Sequence, residues 1–376
     1  MKVALAHDHL AQDGGAEKVL KVLLEMYPKA PIYTLLYEKE NADRFYSDRN
    51  IEASIIQRLP GGIKHYKWYM PFMPMAVEFF DLSKYDVVIS SASALIKGVI
   101  TKPDTLHICY CHTPTRYLWS DTHEYINDLK YNKYFKKIIS LVLNYIRIWD
   151  RQAADRVDVF VANSKTVQKR IKKYYKQDSK VIYPPVDTKK FGNFRDHLDE
   201  KLQSERYFLI GCRLASYKRV DLAIKAFKKM PDKKLKIFGD GIDRQRLEKI
   251  AGDASNIEFL GRVDDAELAR YYANAQAFLN PQEEDFGITA VEAISAGTPV
   301  IAYRKGGATE TVVAGESGVF FDRQRPEDLI RAVENFKADK FNKDEISRQA
   351  ERFSIDNFKK NLESFIKEEC EKHAKE

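Results

Sequence analysis

Two glutamates, Glu284 and Glu292, frame the segment of this chain with the most chemical content, EDFGITAVE. Gly287 frees the backbone at a turn into a helix. The N–H groups of Ile288 and Thr289 can then face an anion such as phosphate, which the helix dipole favours. Glu292 falls about one helical turn further on, on the face turned toward the loop, where a carboxylate can accept two hydrogen bonds from a diol such as ribose. Glu284, ahead of the helix, can reach sugar hydroxyls. Alone, Glu292 is equally an ordinary exposed helical glutamate. A bare pair of carboxylates would also suit glycoside hydrolysis, but their arrangement around Gly287 makes them groups that hold a ligand.

Other phosphate-binding features stand at strand-to-helix junctions. The segment GCRLASYKR sets Arg213 and Lys218 just beyond a strand, where a guanidinium fork and an ammonium can grip a diphosphate. They could also stabilise charge growing on a leaving group, with Arg219 competing for the role of Lys218; a solvated loop is the plain alternative. Near the start, DGGAE pairs Gly14 with Gly15 at a helix start, which suits an anion or simply a tight turn capped by Asp13. No G-x-G-x-x-G follows any expected strand and no Walker A motif occurs, so dinucleotide-dependent and P-loop chemistries lose their fingerprints. His7 and His9 alternate on a strand and share a face, but no third metal ligand accompanies them. Sugar or acceptor binding by His9, or simple hydrogen bonding, is the better reading.

The elements that must position these residues alternate along the chain. Strands are expected at KVALAH, 31–34, 51–56, 86–90, 106–111, 159–161 and 181–183, with helices from GGAEKVLKVLLEM and over 129–154 and 164–176. IYPPVD then breaks the pattern, since paired prolines forbid a continuing helix. A second series follows, six strand–helix pairs from YFLIGC to GVFF, implying a parallel sheet covered on both faces. The expected organisation is two doubly wound α/β domains, residues 1–186 and 187–353. Ligands should bind beyond the carboxyl ends of the strands, in the cleft between the domains. A final charged helix, 354–376, is expected to pack back on the first domain.

Composition is consistent with this. Length 376 and 44% hydrophobic residues suffice for two cores, and the 31% charged residues mix signs. No apolar run is long enough to span a membrane, and the start lacks a secretory pattern, so a cytoplasmic protein is expected. Four cysteines, Cys109, Cys111, Cys212 and Cys370, read as reduced thiols. The net charge of +7 concentrates in Lys130–Lys137 and Lys165–Lys176. These are solvated helix faces or an anionic membrane surface, and no nucleic-acid motif accompanies them. KHYKWYMPFMPM, residues 64–75, is either a loop packed on its own core or an amphipathic surface for lipid headgroups.

Together the features resemble the family-4 glycosyltransferases, retaining enzymes of the GT-B fold. The signature stands as EDFGITAVEAISAG, supported by the GG loop, GCRLASYK, IFGDG, EFLGRV, GTPVIAYRKGGATE and IYPPVD. The resemblance implies that Arg213, Lys218, Gly14, Gly15 and the backbone at Ile288 and Thr289 bind the donor diphosphate. Glu292 would hold the ribose, and Glu284, Phe286 and Gly287 the transferred sugar. Gly239 and Gly241 would lie near the nucleoside, with Arg262 and Val263 at the base. His112, in CHTPTRYLW, matches the family's histidine facing the reacting sugar, with Arg116 and Trp119 on the acceptor side. No metal or other cofactor is implied, and the chain has no D-x-D.

HDHL, CHTPTRYLW and IYPPVD further resemble bacterial mannosyltransferases of surface-polysaccharide assembly. That implies GDP-mannose as donor, a lipid-linked saccharide as acceptor, and work on the inner membrane face. The alternatives are a UDP- or dTDP-sugar donor, or a non-catalytic partner subunit that binds sugar or nucleotide.

Overall fold

The computed structural model describes residues 1–11, 14–40, 46–196 and 199–375. It divides into two units: Met1–Tyr183 with the C-terminal stretch from Lys359, and Pro184–Phe358. The division falls at the double proline. The adjoining segment is tied into the second unit by a Val186–Ser354 bridge.

The first unit is built on seven parallel strands: β1 (Val3–Leu10), β2 (Ile32–Tyr37), β3 (Ile51–Ala53), β4 (Val87–Ala92), β5 (Leu106–Cys111), β6 (Val159–Ala162) and β7 (Ser179–Val181). Their order is β3-β2-β1-β4-β5-β6-β7. β4 and β5 are buried at every residue, as expected of strands covered on both faces. The winding reverses between β1 and β4, so the loops leaving their carboxyl ends diverge and leave a crevice at the middle of the sheet. The register places His7 of β1 beside Ser91 of β4, and Ala92 of β4 beside Cys111 of β5. Helix α1 (Gly15–Met26) follows β1 and buries Val19, Leu20, Leu23 and Leu24, the helical spacing seen in the sequence. Helix α2 (Lys133–Ala153) starts where Asn132 accepts hydrogen bonds from the N–H groups of Tyr134 and Phe135. It buries Leu143, Ile146, Trp149 and Ala153.

The second unit carries β8 (Tyr207–Gly211), β9 (Lys234–Phe238), β10 (Ile257–Gly261), β11 (Ala277–Asn280), β12 (Val300–Tyr303) and β13 (Gly318–Phe321), all parallel. Their order is β10-β9-β8-β11-β12-β13, and the reversal lies between β8 and β11. Helix α3 (Val220–Phe227) covers one side through Leu222, Ala223, Ile224 and Phe227. Helix α4 (Ile288–Ser295), after β11, is buried over its last six residues.

Several boundaries differ from expectation. The strand placed at 181–183 is Ser179–Val181, and the one at 51–56 ends at Ala53, because Ser54 opens a 3-10 turn. The helix expected from 129 starts at Lys133, since Asn132 caps it, and a separate helix Thr122–Asp128 precedes it. The 64–75 segment is a 3-10 turn, Tyr66–Phe72, running into helix Met73–Glu78. A helix at Lys343–Ala350 has no counterpart in the sequence reading. The C-terminal helix spans Ile355–His373, and Glu376 lies outside the described residues. Lys359 on this helix pairs with Glu25 of α1 at 2.7 Å.

Candidate active site

In the second unit the expected ligand-holding residues gather at the carboxyl ends of β8 and β11, on either side of the reversal. The loop after β8 carries Arg213, exposed, with its guanidinium 3.4 Å from the Tyr217 hydroxyl. Lys218 ends the following 3-10 turn, and its ammonium is hydrogen-bonded and ion-paired to the Glu284 carboxylate. Arg219, the rival cation, adopts a left-handed φ of 53° and turns to Asp221 at 3.4 Å and Gln324 at 3.2 Å. Lys218 is therefore the cation at Glu284. The pair is largely buried, so each partner offsets the other's desolvation, and loss of either leaves a poorly solvated charge.

Glycines fix the shape of this end of the sheet. Gly287 has φ 94°, and a Cβ there would stand 3.2 Å from Glu284 Oε2 and 3.9 Å from Asn280 Nδ2. The turn delivers the chain into α4 at Ile288 and Thr289, whose N–H groups start the helix without an intrahelical acceptor. Gly307 approaches so closely that its Cβ would lie 2.3 Å from the Phe286 Cα, and its N–H donates to the Glu284 carbonyl at 2.8 Å. The distant KGGATE segment thus clamps the loop bearing Glu284. The Phe286 ring is buried edge-on against Phe353, so it braces the loop and leaves the backbone as the part that could meet a sugar. Gly239 and Gly241 let the β9 loop press on the β8 loop, where a Cβ would come within 1.9 Å of the Cys212 carbonyl oxygen and 2.2 Å of that of Leu214. Beside them Arg262 is exposed, 3.8 Å from Asp240, and Val263 is half-buried.

Glu292 is buried within α4, where its Oε2 accepts a 3.4 Å hydrogen bond from the Tyr272 hydroxyl. Burial, with the neighbouring Glu292 carboxylate, raises the Tyr272 hydroxyl well above its ordinary range, so it remains a donor. The structure contradicts the exposed-glutamate alternative. Asn280, the last residue of β11, is fully buried, and neither amide atom has a hydrogen-bond partner among the described residues. An unsatisfied buried amide costs roughly 1–3 kcal/mol. No motif singles out Asn280, which stands immediately before Pro281 at a strand end.

In the first unit a connected set of side chains crosses the reversal point. His112, just past β5, bonds through Nε2 to Ser91 Oγ at 2.8 Å, and Ser91 Oγ lies 3.2 Å from His7 Nδ1. His7 Nε2 is 3.9 Å from Glu17 of α1, and Glu17 accepts the Gly14 N–H at 3.0 Å. Gly14 is the N-cap of α1 and Gly15 its first residue; Asp13, the expected cap, lies outside the described residues. Burial, reinforced by nearby His7, lowers the His112 pKa to about 4, so the ring is neutral at ordinary pH. Burial would raise the Glu17 carboxyl, but nearby His7 together with the backbone N–H groups of Glu17 and Gly14 holds it low.

Asp8 secures the same end of the sheet. Its carboxylate accepts four backbone N–H groups, from Ser93, Ala94, Leu95 and Ile96, at 2.7–2.9 Å. Burial alone would raise its pKa; His9 and these N–H groups together bring it below the ordinary value. His9 meets the ring of Tyr66 edge-on at 5.3 Å, so it and His7 engage different partners. Among the described residues no three His, Cys, Asp or Glu side chains form a metal-ligating cluster.

Of the expected acceptor-side residues, Arg116 pairs with Asp121 at 2.6 Å, which turns its Nε along its own loop. The Trp119 indole donates to Asp150 at 2.7 Å while its ring stacks on Tyr174. Asp150 also receives Lys97, Thr115 and Tyr175, a buried hub the sequence reading missed. Trp119 therefore anchors the loop after His112 to the core. Ser91 and Glu17 were missed too, because their role exists only when β1, β4 and α1 meet.

Residues 13–190 match Glycosyltransferase Family 4, and residues 195–353 match Glycosyl transferases group 1. The chain is 27% identical to Dictyostelium discoideum alpha-1,3/1,6-mannosyltransferase ALG2, over 64% of this chain and 64% of that protein. It is 32% identical to the GDP-mannose-dependent alpha-(1-6)-phosphatidylinositol monomannoside mannosyltransferase of Mycolicibacterium smegmatis, over 42% of this chain and 46% of that one. The matches thus span less than two thirds of these relatives' lengths. Anabaena Alr3699/HepE, solved in complex with UDP-glucose, superposes with a TM-score of 0.70 at 16% identity, covering 98% of this chain and 100% of its own. With both halves matched in order and two parallel Rossmann-like sheets, the chain belongs to the family-4 glycosyltransferases of the GT-B fold.

Proposed function

We propose that the chain is a retaining glycosyltransferase that moves mannose from GDP-mannose to a lipid-linked saccharide in cell-surface polysaccharide synthesis. The observation that carries the reading is the Lys218–Glu284 pair beside the Gly287 turn, at the reversal between β8 and β11. There Lys218, Arg213 and the start of α4 meet the donor diphosphate and stabilise the charge that grows on it as the sugar C1–O bond breaks. The new bond from C1 to the acceptor oxygen forms on the same face, and the acceptor proton passes to the departing phosphate oxygen. The protein contributes positioning and charge rather than a general base. Glu292 holds the ribose, and Glu284, paired with Lys218, accepts from sugar hydroxyls. His112, neutral by burial, hydrogen-bonds the reacting sugar. Gly14 and Gly15 add backbone donors for the diphosphate. No divalent ion enters this reading.

The mannose assignment rests on the two mannosyltransferase relatives. A UDP-sugar donor is the second reading, favoured by the UDP-glucose complex of the structural neighbour. No helix among the described residues is long and apolar enough to cross a membrane. The reading places the chain peripherally, on the inner membrane face. The test is nucleoside diphosphate release from a panel of GDP-, UDP- and dTDP-sugars, alongside thermal shifts with the free diphosphates. Turnover and stabilisation with the guanine series support mannose, and preference for UDP selects the second reading. Saturable binding with no turnover on any acceptor would leave a non-catalytic binding subunit.

A further inference from the structure

Helix α2 has two apolar faces, and the core uses only one. Leu143, Ile146, Trp149 and Ala153 are buried. A second row, Tyr134, Ile138, Leu141, Tyr145 and Ile148, repeats at alternating steps of four and three along one stripe, and every member is more than half exposed. Leu141, at its centre, is 72% exposed. An uncovered apolar stripe four turns long needs an occupant.

Charge selects among occupants. Lys130 through Trp149 contains Lys130, Lys133, Lys136, Lys137 and Arg147 and no Asp or Glu. A second copy of the chain seated on this stripe would set cations against cations, which is unfavourable. An anionic bilayer surface fits both properties. Apolar side chains enter the headgroup boundary, tyrosine rings lie at its polar edge, and lysine stems extend to lipid phosphates. A second acid-free segment, Ile55–Val77, adds the exposed Trp68, Phe72 and Met75, together with Lys64 and Lys67. It is fastened beside α2 within the same unit, where the Trp149 indole donates to Glu78 at 2.7 Å. Tyr66 and Tyr69 of this segment pack on the core that also holds Ile139 and Val142 of α2.

We infer that the exposed stripe of α2 is the membrane-docking surface of this protein, lying in the plane of an anionic leaflet with the Trp68 segment as a second contact. The inference deepens the membrane-side reading above, on which it rests for its acceptor. Its test uses neither donor nor acceptor, so either reading can fail without the other.

The experiment is sedimentation of the full chain with vesicles of phosphatidylcholine alone, or with about one third phosphatidylglycerol. The wild type should bind the anionic vesicles only, and binding should weaken severalfold between about 0.05 and about 0.5 M salt. Leu141→Glu, at an exposed position that leaves the core untouched, should weaken binding about tenfold or more with unchanged circular dichroism. Lys133→Ala/Lys137→Ala should weaken it severalfold, and decides the matter if Leu141→Glu does not fold. Absence of wild-type binding, or wild-type affinity in either folded variant, overturns the inference. A wild-type dimer that Leu141→Glu converts to a monomer, without vesicle binding, also overturns it and makes the stripe a seam between protein chains.

Discussion

The two units solve the same topological problem with different chemistry. Each opens a crevice where its parallel sheet reverses, between β1 and β4 in one and β8 and β11 in the other. The first unit furnishes that place with buried hydrogen-bonding side chains: Glu17, His7, Ser91 and His112, with Asp8 wrapped in backbone donors. The second furnishes it with glycine-enabled backbone and one cation–carboxylate pair, Lys218–Glu284. The first arrangement suits orienting neutral hydroxyls, and the second suits holding a polyanion. It also follows that the two units should fail in different ways.

The largest effect is expected on turnover. Lys218→Ala removes a cation from the growing charge and strands Glu284, and should lower kcat/KM by about 10²–10³-fold, or roughly 3–4 kcal/mol. Nucleoside diphosphate release measures it, and a loss under tenfold would remove Lys218 from the chemistry. Next comes acid sensitivity, which belongs to the first unit. Burial lowers both His107 and His112 to about 4, against an unfolded value of about 6.5. Between those values the unfolded chain binds the extra protons, so stability falls as pH falls, by about 3 kcal/mol per histidine. Asp8 and Glu17, both held low, add losses on further acidification. Thermal melts from pH 7 to pH 4 should show the first unit giving way first, and equal sensitivity of both units would break the contrast.

Gly307→Ala tests the second unit's dependence on close backbone approach. Its Cβ meets the Phe286 backbone, and a cost of about 2–3 kcal/mol is expected. Gly315→Ala is the control, with φ 81° but nothing within 4 Å of the added carbon, and should cost only about 1 kcal/mol. Differential scanning calorimetry separates the two. The smallest effect is expected for Ser91→Ala, which cuts the link between His7 and His112 at a cost of about 1–2 kcal/mol. It should lower kcat about tenfold with little change in donor KM. A change in KM alone would argue against orientation of His112.

The same contrast explains what could be read without a structure. Glu284, Gly287 and Glu292 lie within one strand-to-helix junction, so their spacing already encodes their geometry. Lys218 and Glu284 lie 66 positions apart, and only the β8–β11 pairing brings them together. Ser91, Glu17 and Asp150 carried no motif, because their meaning depends on which strands neighbour which in space. The motif resemblance places Phe286 at the sugar, whereas the burial of its ring against Phe353 depends on a residue far along the chain. Alternating strands and helices made the fold class legible. Caps such as Asn132 shifted its boundaries by a few residues.

The proposed function gives the second unit most of the grip on the nucleoside diphosphate, through Lys218 and Glu292, and gives His112 of the first unit to the reacting sugar. Calorimetric titration of GDP into the full chain distinguishes the two roles. Glu292→Ala and Lys218→Ala should each weaken GDP about tenfold or more, a loss of at least ~1.4 kcal/mol. His112→Ala should leave GDP affinity within about twofold of wild type. Wild-type GDP affinity in Glu292→Ala, together with its loss in His112→Ala, would move the diphosphate site to the first unit.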